Sequence, residues 1–161
     1  MAWKSSLLVV ANVTADSDEL LSALSARAER GPASFTLVVP ATGGQREAAA
    51  ARLDAALERM RAAGLEVSGA IGSADPVVSV REAWDPRKFD EIVVSTLTGQ
   101  TSKWLQIDLP HRVERLTGAQ VTHVVVSEPK PAIETAPARE PTRRGLLSPF
   151  SALGWGRSRR R

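Results

Sequence analysis

Phe89-Asp-Glu-Ile-Val-Val-Ser95, running on through Thr96-Leu-Thr-Gly-Gln-Thr-Ser-Lys103, decides the fold. Ile92, Val93 and Val94 form an apolar run without alternation, and it breaks into hydroxyl-bearing residues and a glycine. A strand covered on both faces reads this way, because neither face needs polar side chains. Working outward, the same grammar recurs upstream in Leu7-Leu-Val-Val-Ala11 and in Phe35-Thr-Leu-Val-Val39.

Between these runs lie stretches with helical spacing. Strand one is expected over Ser5 to Ala11 and helix one over Ser17 to Arg30. Leu20, Leu21, Leu24 and Ala28 fall on one face of that helix, Asp16 and Glu19 have capping-box spacing, and Gly31-Pro32 stops it. Strand two is Phe35 to Val39. An alanine-rich helix follows over Gln45 to Ala63, with Leu53, Leu57 and Met60 inward and Gly64 as its stop. Strand three, Leu65 to Ile71, alternates, which places it nearer an edge. Asp75-Pro76 opens a third helix as N-cap and first-turn proline, and Asp85-Pro86 ends it. Strand four is Glu91 to Ser95, helix four Leu109 to Leu116, and strand five Val121 to Val126, partly alternating through Thr122 and His123.

Alternating β and α units imply a parallel sheet with right-handed crossovers and helices on both faces. With strands one, two and four central, the expected fold is a five-stranded parallel α/β sheet of order 3-2-1-4-5, a Rossmann-like three-layer sandwich. The order reverses between strands one and four. In such sheets ligands bind outside the carboxyl ends of the strands at the reversal. Here that point lies between Asn12–Ala15 and Ser95–Lys103.

At strand four the chain resembles the universal stress protein family, over residues 5–126. The resemblance rests on strand lengths, on Ala63-Gly-Leu-Glu-Val67 leading into strand three, and on Phe89 to Ser95 running into a long loop. It implies the same fold (shared with the wider HUP group), a role in stress response, and a homodimer formed through the edge at strand five. Nucleotide-binding members carry glycines after strand four, spaced by two and then nine residues, the last followed by serine or threonine. They also carry an aspartate after strand one, near the ribose. Here Ser95 and Thr98 match the first two glycines, Asp108-Leu109 the final pair, and Asn12 stands near the aspartate position. A carboxylate at Asp108 is expected to cap helix four and to repel phosphate. Like charges about 4 Å apart cost on the order of 4 kcal/mol at an effective dielectric near 20. Pro110 removes a further donor. The expectation is a divergent member that does not bind ATP in the usual mode. The alternative is a nucleotide-binding protein, for AMP or ATP, with a shifted phosphate loop.

The candidate ligand-binding residues are therefore Asn12, Thr14 and Val39 at the ends of strands one and two, with Ser95, Thr96, Thr98, Gly99, Thr101, Ser102 and Lys103 after strand four. The plain counter-reading is a polar loop whose hydroxyls satisfy its own turns. No catalytic constellation is visible, so no enzyme activity and no cofactor are expected. His111 and His123, without any cysteine, do not form a metal site. His111 reads as a cap or surface residue beside Asp108, and His123 as an edge residue. Gly43-Gly44 reads as a turn, Trp104 as an apolar anchor for the loop, and Arg46, Arg52 and Arg59 as the solvated face of helix two.

The charge is divided along the chain. Residues 1–126 hold 13 Lys/Arg against 15 Asp/Glu, while residues 127–161 hold 8 against 3. The basic character thus belongs to a Pro/Arg-rich tail, and nucleic acid is not an expected partner of the body. The tail sets Leu146, Leu147, Phe150, Leu153 and Trp155 between Arg143-Arg144 and the arginines from Arg157 to Arg161. That arrangement suits an anionic membrane surface or an acidic partner. Without a signal-like or spanning segment, the expected location is cytoplasmic.

Overall fold

The computed structural model describes residues 3–98, 104 and 107–127. Five parallel strands, β1 (Ser5–Val10), β2 (Ala33–Pro40), β3 (Glu66–Gly72), β4 (Glu91–Leu97) and β5 (Gln120–Val126), pair in the order β3-β2-β1-β4-β5. Four helices alternate with them: α1 (Asp18–Glu29), α2 (Arg46–Ala62), α3 (Pro76–Ala83) and α4 (Leu109–Thr117). A short 3-10 turn, Thr42–Gly44, precedes α2. The sheet order and the strand–helix alternation are those expected from the sequence. The tail from Glu128 onward, and the membrane or acidic-partner role expected of it, lie outside the described residues, as do Gly99, Thr101, Ser102 and Lys103. Among the described residues no helix is long and apolar enough to cross a membrane.

The continuous apolar runs are central because both of their faces are buried. On one face Leu7 and Val9 of β1, with Phe35, Leu37 and Val39 of β2, pack under Leu20 and Leu24 of α1 and Leu53, Ala56, Leu57 and Met60 of α2. On the other, Leu8, Val10, Ile92 and Val94 pack under Val80 of α3 and Leu109 and Val113 of α4. Each strand alternates its side chains between these two layers, as the pleat requires. Trp104 is buried in the second layer, which fits the anchor role read from the sequence.

One of the helix caps at α1 and α3 differs from expectation. Helix α1 is capped by Ser17, whose hydroxyl accepts the Leu20 N–H at 3.2 Å, rather than through Asp16. The shift lets the backbone turn over Asn12–Ser17 close first, with Ala15 N–H donating to Asn12 O and Ser17 N–H to Thr14 O. At α3 the expected cap holds: Asp75 accepts from Val77 and Val78, with Pro76 behind it.

Candidate functional site

The carboxyl ends of β1 and β4 are adjacent, since Leu7 to Val10 pair with Glu91 to Val94. Thr14, just past β1, and Ser95, within β4, meet across this reversal point. Ser95 Oγ donates to Thr14 Oγ1 at 2.8 Å, and Thr14 Oγ1 donates to the Ser95 carbonyl at 3.3 Å. Thr14 is 2% exposed and Ser95 is fully buried. The two bonds form a buried cross-link between the ends of β1 and β4.

A second link lies beside it. Asn12 Nδ2 donates to Thr42 Oγ1 at 3.0 Å, and Asn12 Oδ1 accepts from Arg52 Nη1 at 2.7 Å. The ends of β1 and β2 are thereby tied to α2 through a charge-assisted bond. Arg52 is thus not simply part of a solvated face. Arg59, which is exposed, pairs with Asp18 and the Asp16 carbonyl. The period of a helix shows which residues point away from the core, but not which of them reach a neighbouring loop. Val39 is fully buried in the core layer beneath α2 and presents no surface to a ligand.

Thr96 takes the opposite face of β4 from Ser95. Its hydroxyl lies 2.7 Å from His123 Nε2 on β5. The hydroxyls expected to act together are therefore split between the two layers by strand alternation. Thr98 continues the ladder through its N–H, which donates to the Val126 carbonyl at 2.8 Å. Among the described residues, no buried side-chain nitrogen or oxygen lacks a partner. No group of three or more acidic, histidine or cysteine side chains could hold a metal ion there either.

The start of α4 corrects a second expectation. Asp108 adopts a left-handed conformation (φ 52°, ψ 52°) and makes no side-chain cap. Its Oδ1 lies 2.7 Å from His111 Nδ1 instead. In the left-handed region the carboxylate swings away from the helix amides, and His111, one turn in, is within reach. The carboxylate remains at the helix start, exposed, as an Asp108–His111 pair.

His123 is exposed overall, but its ring packs against Thr96. Desolvation, the largest influence, holds its pKa below the usual 6.5; the Asp108 carboxylate opposes this and His111 adds to it. An unfolded chain then takes up this proton at a higher pH than the folded one. Stability is therefore expected to fall as pH drops through about 6.5, and the fall ends below the folded pKa. Urea unfolding at about pH 7.5 and about pH 5.5 checks this. His123→Gln should show a smaller loss over that window than the wild type.

This sheet, wound in both directions from a reversal between β1 and β4, defines a doubly wound α/β architecture. It is the universal-stress-protein fold. A solved universal stress protein in complex with cAMP superposes with a TM-score of 0.55 and 23% sequence identity, covering 78% of this chain and 98% of that one. No family model matches the sequence, and no curated protein matches it.

Proposed function

We propose that this chain is a universal-stress-protein-like binding or regulatory module, non-enzymatic, working as a homodimer and not taking ATP in the mode usual for that family. One observation carries this reading: the buried Thr14–Ser95 pair occupies the reversal point where a ligand would enter. The Asp108 carboxylate at the start of α4 adds repulsion toward phosphate. Support for the dimer is the edge of β5, which pairs with β4 alone among the described residues and where Val125 is 45% exposed. An unpaired, β-branched edge strand is a template for pairing with another chain.

A second reading has its own support. Because Asp108 turns to His111, its side chain does not cap the first amides of α4. Those amides could receive a phosphate in a shifted pose, as in binding AMP or cAMP. The similar universal stress protein was solved with cAMP.

Calorimetry of the full chain with ATP, AMP and cAMP separates the two. Under the first reading ATP gives no saturable heat at a Kd below about 100 μM, an affinity worth about 5 kcal/mol. Saturable ATP binding tighter than that overturns it. Binding of AMP or cAMP alone favours the second reading, and Asp108→Gly should then tighten it. A strictly monomeric sedimentation profile removes the dimer.

A further inference from the structure

Among the described residues, the crossover rule leaves part of the sheet without a helix over it. Helices α1 and α2 must cover one face of five strands, because the β4-to-β5 crossover carries α4 to the other face. The side of β5 that faces α1 therefore borders a groove of about 350 Å³. That volume lies at the lower end of the range for small-molecule sites. The groove runs along β4 and β5 from Glu91 and Gln120 as far as Val124, the residue that pairs with Ser95 in the ladder.

Leu7, Leu24 and Val93 lie beneath it as buried core residues, and the apolar surface it offers is that of the partly buried Ala23 and Val124, with Gln120 and Thr122 beside them. Its wall is charged. Arg27 of α1 holds Glu91 through Nη2 at 2.9 Å and Nε at 3.5 Å, and both side chains are mostly buried. A guanidinium has five N–H donors, so this pair leaves several of them available. Arg30 stands one turn further on the same face of the chain and also lines the groove. It makes no ion pair among the described residues. Two guanidiniums face one carboxylate and the roughly half negative charge of the α1 carboxyl end, so the wall keeps a positive surplus.

We propose that this groove binds a small amphipathic carboxylate, its apolar body on Ala23 and Val124 above the Leu24 and Val93 core and its carboxylate against Arg30 and the free donors of Arg27. Apolar burial alone does not choose this class; the arginine charge beside the small apolar surface of Ala23 and Val124 does. The proposal is independent of what the reversal point binds.

The test is an NMR titration of the full chain with octanoate, using 1-octanol as the neutral counterpart. Saturable shifts are expected at the methyl groups of Leu24, Val93 and Val124, with octanol at least about ten-fold weaker. Arg30→Gln, a change at an exposed side chain, should weaken octanoate binding about five-fold or more and leave octanol unaffected. Ala23→Leu, which fills the groove from α1, should abolish binding. Equal affinity for octanol and octanoate overturns the proposal. So do shifts centred on Asn12–Ala15, or unchanged binding by Arg30→Gln. If Ala23→Leu disturbs folding, the Arg30 variant and the octanol comparison decide the matter.

Discussion

Replacing Ser95 with leucine is expected to destabilise the protein by about 2–5 kcal/mol. Ser95 is fully buried, so a larger side chain must displace its neighbours, which costs about 1–3 kcal/mol. The change also removes the donor to Thr14 Oγ1, a hydroxyl that is itself 2% exposed. The Thr14 hydroxyl keeps its bond to the Ser95 carbonyl, so losing this one donor costs a further amount of about 1–2 kcal/mol. The outcome separates a closed reversal point from an open one. An open crevice would accept leucine with a change within about 0.5 kcal/mol, as a surface position does. Urea unfolding of the wild type and the variant measures the difference directly. A cycle with Ser95→Ala and Thr14→Val isolates the hydroxyl pair, since both substitutions avoid overpacking. A coupling near zero would show that the two hydroxyls do not depend on each other.

The same pair marks the limit of what the sequence makes legible. The run Ile92-Val-Val94 and its counterparts in β1 and β2 carry the sheet order, because double-sided burial leaves a pattern within one strand. Helix ends at Gly64 and Gly118 are equally local: both glycines sit at positive φ, 82° and 64°, where other residues are strained. The Thr14–Ser95 contact has no such trace, for its partners are 81 residues apart and meet only once β1 lies beside β4. Arg52 reaching Asn12 is of the same kind. The five hydroxyls after strand four looked like one cluster because sequence proximity was taken for spatial proximity. Strand alternation places Ser95 and Thr96 in different layers, with Thr14 and His123 as their separate partners.

Leu109→Ala is expected to cost about 2–5 kcal/mol, the range for truncating a buried leucine. Leu109 is fully buried beneath the sheet and opens α4, directly after Asp108. A left-handed aspartate stores on the order of 1 kcal/mol of strain, and such strain persists only where the surroundings enforce it. Leu109, packed with Val113 and Trp104, is the residue placed to enforce it. Asp108→Gly should therefore stabilise the wild type by about 1 kcal/mol, since glycine meets φ 52° without penalty. In the Leu109→Ala background the same change should gain less, because a loosened helix start can relax the aspartate by itself. Urea unfolding of the four proteins gives the coupling. If Asp108→Gly gains as much in both backgrounds, the left-handed turn is set locally and the buried leucine does not hold it. If the gain vanishes with the leucine, the core of the second layer fixes the geometry at the start of α4, and with it the position of the Asp108 carboxylate that faces any incoming phosphate.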